Sequence, residues 1–407
     1  MAPTRPTGHR RSPLLSATAT LGLLAPVLAG CGVFAQPRPA PAGGPSLAPA
    51  GSVGYVVCTN AVTPVELATH TAEAAIPLPI SGTPDLGDFA IATSSDGRRA
   101  YVVTSDGTPG PSGSTVPSTV TSTTVPVATS TTGGSVGTGG QNVVIPIDLE
   151  TQRAGRPIPI PGQGGTHAIV VLPGGRTVLA ASGGTVVPVD TATGQAGTPI
   201  DLGAGTIFGM ALNPNGTTLY VLVAGEVVPV NTVNDTAGGP VPTGLAVSSV
   251  YSPHGIGVTT DGGTIYVVGQ GPPDFGGRVL PIAAATGIPG AQASFDNYGI
   301  ADPAALAIEP DGSSLLVADA ANNWINPVPL ASFTNPPPPV RLPTQQAGAP
   351  TSGTEHPTDI VIGPGATGAF VVYGFDAVLP YDPVAQTFGQ AIPVCAGASS
   401  MAVAPSP

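Results

Sequence analysis

The sequence predicts an all-β fold, a seven-bladed β-propeller of four-stranded antiparallel blades, and three observations predict it. Proline recurs seven times in a similar apolar setting, at Pro64, Pro146, Pro188, Pro229, Pro281, Pro327 and Pro380. Each follows an apolar run such as YVVCTN (55–60), LYVLVAG (219–225) or IYVVGQG (265–271), and the spacing of the prolines, roughly 40 to 50 residues except where an insertion intervenes, suits a propeller blade rather than a short solenoid turn. The 57 Gly and 50 Pro of the 407 residues punctuate apolar segments instead of forming one block, which favours many short strands joined by turns.

Aligned on the prolines, the units have four parts. The first is an apolar strand ending in a turn, as in MALNPNGTT (210–218), GVTTDGGT (257–264) and ALAIEPDGSS (305–314), where Asn-Gly and Asp-Gly support the positive φ of a tight hairpin. The second is the Val- and Tyr-rich strand. The third contains the proline, as in VVPVD (186–190), VVPVN (227–231) and VLPYD (378–382), and the fourth is shorter, as in TPIDLG (198–203) and QAIPVC (390–395). Because proline has no N–H for a sheet ladder, the third strand is expected to bulge there or to pair only partly with the outermost strand. Asp148, Asp190, Asn231 and Asp382, after the prolines, read as turn formers.

The domain begins with a second strand and the chain stops after a first strand, SSMAVAPSP (399–407). The C-terminal strand should therefore complete the N-terminal blade and leave the ring without an open edge. In that blade Cys58 ends the second strand and Cys395 precedes the first. Antiparallel pairing puts both near one rim, where a disulfide would close a loop of more than 300 residues and contribute about 5 kcal/mol in the chain-entropy model. The alternative is two separate buried thiols.

At the N-terminus, Arg5, His9, Arg10 and Arg11 precede an apolar run from Leu14 to Leu28, the layout of a signal peptide over residues 1–30. The tetrapeptide LAGC, ending at Cys31, resembles the lipobox of bacterial lipoproteins. That resemblance implies cleavage before Cys31, acylation of its side chain and a lipid anchor on the extracytoplasmic face of the cell membrane, held by about 0.8 kcal/mol per buried CH₂. An ordinary secretory signal with an incidental cysteine is the alternative. Residues 31–52, rich in Pro, Ala and Gly, read as a flexible spacer, and 53–407 as the propeller. A Ser/Thr/Gly-rich insertion at 107–140 interrupts one unit between its second and third strands; it reads as a disordered loop or a sugar-modified arm.

The chain contains no lysine, and eight arginines face twenty-three carboxylates once the signal is removed, a net charge near −15. A phosphate-tracking surface for nucleic acid is excluded on these grounds. The absence of lysine also removes Walker-type phosphate binding and Schiff-base chemistry, and no G-x-S-x-G, H-E-x-x-H or C-x-x-C motif occurs. No cofactor is expected: Met210 and Met401 lie in apolar strands and read as core, and haem or copper would need more His, Met or Cys ligands than the chain has.

YVVCTN, AYVVTSDG (100–107) and LYVLVAG, followed by V-x-P-V-D and turns such as EPDGSS, resemble the YVTN-type β-propeller repeat of secreted and surface proteins of bacteria and archaea. The resemblance covers nearly all of residues 53–407. It implies the propeller fold and leaves function open among surface-layer domains, lactonase-like enzymes and other roles. WINPVP (324–329) departs from the pattern by lacking the acidic residue after the proline pair.

A ring of polar residues where the first strands begin is the candidate site: Asp88, His167, His254, Asp302 beside Pro303, and His356 with Asp359, with Phe208 at the same register in one blade. His and Asp converging on a channel mouth could bind a ligand or a metal ion; the alternative is a polar mouth filled by water. The Asp-Gly turns at Asp96, Asp261 and Asp311 lack the alternating oxygen ligands of a calcium loop. Two functions follow. One is a monomeric, lipid-anchored, non-catalytic scaffold that presents its rim to a protein or cell-wall partner. The other is a lactonase-like hydrolase using the Asp and His residues of the mouth, with or without a metal.

Overall fold

Seven small antiparallel sheets succeed one another around a ring in the computed structural model, which describes residues 52–81, 89–109, 140–162, 165, 168–203, 205–246, 255–271, 276–295, 302–334, 336–343, 356–363, 368–374 and 376–404. The signal, the spacer and most of the Ser/Thr insertion lie outside those residues. Each blade is ordered first, second, third, fourth strand from the axis outward. Numbered from the N-terminus, blades 1 to 7 have as first strands Ser400–Ala404, Ala90–Thr93, Ile169–Val171, Ile207–Leu212, Ile256–Val258, Pro303–Ile308 and Pro357–Ile362. These innermost strands neighbour one another all the way round.

The chain starts and stops out of phase with its blades. Val53–Val57 pairs with Ala61–Glu66 on one side and with the C-terminal Ser400–Ala404 on the other, Val56 standing opposite Met401. The closing strand is thus donated from the far end of the chain. Cys58 and Cys395 are joined at this seam by a disulfide, with Cα atoms 5.9 Å apart. Thr63 completes the seam by donating its hydroxyl to the Cys395 sulfur, 2.9 Å.

Each proline stands opposite an apolar residue of the second strand: Tyr55, Tyr101, Leu179, Tyr220, Tyr266, Leu316 and Phe370 in blade order. No bulge interrupts that pairing at the proline; the irregularity lies on the outer side. In six blades the fourth strand is two pairs of residues, such as Gln195–Ala196 and Ile200–Asp201, that flank the proline and leave it unpaired. The proline carbonyl nevertheless accepts a backbone N–H from the gap at 2.7 to 2.8 Å, from Glu73, Gly155, Gly197, Gly238, Gly290 and Gly389. In an extended chain the nitrogen and carbonyl of one residue point the same way, so the missing donor faces this outer break. Glycine suits the gap because a Cβ on Gly238 would lie 3.1 Å from the Pro229 ring and 3.2 Å from its carbonyl.

Blade 6 differs because Pro329 stands where blades 2, 3 and 7 have the turn residues Asp148, Asp190 and Asp382. The strand Trp324–Pro329 is followed by a short 3-10 turn, Leu330–Ser332, and among the described residues one outer pair, Val340–Arg341, lies on it.

Seven apolar clusters fill the seven joints between blades. The side chain opposite each proline packs towards the next blade: Tyr55 lies among residues of blades 1 and 2, and Phe370 among those of blades 7 and 1. Met210 and Met401 are both buried. Burial of each such side chain stabilises by about 1.5 to 3 kcal/mol, so the ring is held joint by joint rather than by one central core.

Candidate functional site

Strand alternation divides the ring into two faces. The first strands begin on the mouth face. The hairpins joining first to second strands, and the turns joining third to fourth, lie on the opposite, hairpin face.

On the mouth face, Asp88, His167 and His254 lie outside the described residues. Asp302 and His356 share a register, each immediately before a proline that starts a first strand. Phe208 lies two positions further along, in the bulge between Ile207 and Gly209, and packs into the joint of blades 4 and 5. It therefore does not belong to the ring of Asp302 and His356. Asp359 is fully buried and bonds to backbone: one oxygen accepts the N–H of Ile360 at 2.7 Å and the other that of Met401 at 2.8 Å. That second bond ties blade 7 to the strand that closes blade 1. Burial lowers the pKa of His356, whose carbonyl accepts the N–H of Gly374.

Asp302 has a partner that the repeat alignment missed. Asp319, at the end of the second strand of blade 6, is fully buried and accepts from the backbone N–H of Asp302, 3.3 Å, that of Ala321, 3.1 Å, and the Asn322 amide, 2.8 Å. Burial, and then the Asp319 carboxylate, push Asp302 up to about 6. Burial pushes Asp319 upward too, against these hydrogen bonds. Among the described residues no group of three or more His, Cys, Asp or Glu is placed to hold a metal ion.

On the hairpin face the Asp-Gly and Asn-Gly turns are occupied by their own backbone. Asp96 accepts from Arg98 N–H, Asn215 from Thr217, Asp261 from Gly263 and Asp311 from Ser313. Asp148, Asp190, Asn231 and Asp382 likewise turn back onto N–H groups two or three residues on. Hydroxyl bonds from Ser94 to Asp96 and from Thr259 to Asp261, and the backbone N–H bonds at Asp148, Asp190 and Asp311, favour the ionised carboxyl and lower the pKa of all five.

Between these turns the joints open as grooves. The one between blades 1 and 2 is a cavity of about 510 Å³ with a floor of Val53, Tyr55, Leu149 and Ala404. Its rim carries Glu66, Glu73, Glu150 and Arg98, and the Gln152 amide crosses the joint to donate to Glu73 at 2.7 Å. Burial, then the charges of Glu73 and Glu66, raise the pKa of Tyr55, so both carboxylates act on its hydroxyl. The matching groove between blades 4 and 5, about 230 Å³, contains Tyr220 at the register of Tyr55 and only uncharged residues around it. Two other joints carry an aromatic contact: His70 meets Phe370 edge-on at 6.2 Å, and Phe333 meets Tyr266 at 5.7 Å.

The fold and these faces define the class, a seven-bladed β-propeller. No known family model matches the sequence, and no curated protein matches it. Solved structures do: the chain is similar to a chain of hydrazine synthase from Kuenenia stuttgartiensis, with a TM-score of 0.56 and 14% sequence identity over 83% of this chain and 90% of that one. At that identity the likeness is one of fold.

Proposed function

We propose that this chain is a lipid-anchored, extracytoplasmic β-propeller of the YVTN-repeat type that acts as a non-catalytic binding scaffold at the cell envelope. The observation that carries the reading is the pair of preformed inter-blade grooves on the hairpin face, concave, floored by apolar side chains and of a size that suits ligand or side-chain binding. The bonds of Asp359 to Ile360 and Met401 support it, because they employ a candidate mouth residue in joining strands. The basic and apolar N-terminus, the LAGC sequence and the Pro/Ala/Gly spacer support the anchor. Mass spectrometry of the N-terminal peptide from envelope-purified protein tests it: a diacylglyceryl group is expected on Cys31, and Cys31→Ser should move the protein to the soluble fraction. An unmodified Cys31 in the mature protein would remove the anchor from the reading.

One observation favours the second reading, hydrolysis. A carboxyl that titrates near 6 beside a second carboxylate, as Asp302 does beside Asp319, has the acid-base range of a proton-transfer group. Turnover of a lactone panel by the wild type, abolished in Asp302→Asn, would replace the scaffold with an enzyme.

A further inference from the structure

Blade 1 departs from the repeat at two positions, and both departures line one groove. The residue two after the proline is Asp148, Asp190, Asn231 or Asp382 in blades 2, 3, 4 and 7, and in each its side chain is engaged by the turn that follows. Blade 1 has Glu66 there, one methylene longer, and its carboxylate faces the cavity. The residue whose N–H meets the proline carbonyl is glycine in blades 2, 3, 4, 5 and 7, and is Glu73 in blade 1. Both glutamates line the same cavity, and Glu150 of blade 2 joins them from across the joint.

These three carboxylates face one guanidinium, Arg98, above an apolar floor. The groove between blades 4 and 5 has the same tyrosine register and no charge, so the repeat does not impose the acidity. Glu73 is held by the Gln152 amide across the joint, in the lining of the same cavity as Tyr55. The site therefore combines a preformed anionic rim with a surface that an aliphatic stem would cover. An arginine side chain matches both: its methylenes lie along apolar surface while its planar head, with five donors, pairs with carboxylates.

We propose that the groove between blades 1 and 2 binds an arginine side chain presented by a protein partner, with the stem over Val53, Leu149 and Ala404 and the guanidinium between Glu66, Glu73 and the Tyr55 hydroxyl. The proposal rests on the scaffold reading and names the chemistry of the partner that this scaffold engages.

Titration of the full-length chain in detergent with Nα-acetyl-arginine methylamide, followed by ligand-observed NMR, tests it. The control is the citrulline counterpart, which keeps the shape and loses the charge. Saturable binding of the arginine compound at least tenfold tighter than citrulline is expected, weakening as salt is raised. Glu66→Gln/Glu73→Gln should remove the preference, as should Glu66→Asp/Glu73→Gly, which restores repeat residues at both positions; unchanged thermal unfolding verifies that both variants fold. Equal binding of arginine and citrulline, no saturable binding, or a preference that survives in both variants would overturn the proposal. A Gly/Ser peptide with one central arginine should bind at least as tightly as the free derivative, and exclusion of the peptide would overturn the assignment to a protein partner. Failure of arginine to bind while Cys31 is acylated and a partner engages another face would sink the groove and leave the scaffold reading standing.

Discussion

The joint between blades 1 and 2 and the joint between blades 4 and 5 are built on one plan and finished differently. Both place a tyrosine opposite the repeated proline, and both leave a groove on the hairpin face beside it. In the second, the neighbouring turn contributes Gly287 and the outer gap contributes Gly239, so the walls are short and uncharged. In the first, the corresponding turn contributes Gln152 and the outer gap Glu73, which bond to each other across the joint. Repetition supplies the cavity, and substitutions at few positions supply its chemistry.

The largest way to break this comparison is at the seam, which shares blade 1 with the charged groove. Cys58→Ala/Cys395→Ala frees a loop whose ends are 337 residues apart and should cost about 5 kcal/mol in the chain-entropy model. Denaturant unfolding with and without reductant measures it, and two titratable thiols in the native, unreduced protein would show that the staple is not made. Next come the tyrosines. Tyr55→Ala and Tyr220→Ala each remove a buried ring at the same register and should lose about 3 to 5 kcal/mol apiece. Similar losses would support a shared packing plan; a loss below 1 kcal/mol at one site would show that the two joints are not held alike.

A smaller effect is expected from Gly238→Glu, which places in blade 4 the residue type of blade 1. The new Cβ would crowd Pro229, for a cost of about 1 to 3 kcal/mol, whereas Glu73→Gly should be near neutral in an unfolding titration. Smallest is the pH response of the mouth face. The folded pKa of Asp302, about 6, lies above its ordinary value of 3.8, so the folded state retains a proton that the unfolded chain has released. Stability from this group is present below pH 4 and is lost as pH rises through about 6. Asp302→Asn should raise the denaturant midpoint at pH 7 and leave it nearly unchanged at pH 3.5, by on the order of 1 kcal/mol once solvent screening of a half-buried carboxyl is allowed for.

The blade count and the ring closure were legible in the sequence because proline, Asx-Gly turns and Val/Tyr runs each constrain the backbone locally, and seven copies reinforce one another. The break in the outer strand was half legible: proline announced a missing donor, but not that the third strand would stay regular and the fourth would split. The candidate site was less accessible. Asp302 and His356 could be aligned, whereas Asp319 is brought to Asp302 by the pairing of two strands, and Phe208 aligns with Ala304 and Thr358, two positions past the ring, because blades 4, 6 and 7 share one bulge. The acidic groove did leave a trace, Glu66 where four other units have Asp or Asn and Glu73 where five have Gly. Its meaning depends on the joint between two blades, which a repeat alignment of single blades does not contain.

The split outer strand has a consequence for the perimeter of the ring. A propeller still exposes the perimeter of every blade, and an uninterrupted edge there would be a template for another chain to add a strand. Among the described residues no outer segment runs longer than two residues before the chain turns in towards its proline. A neighbouring molecule would therefore find only two-residue fragments of a ladder there, while the grooves of the two joints lie open between blades.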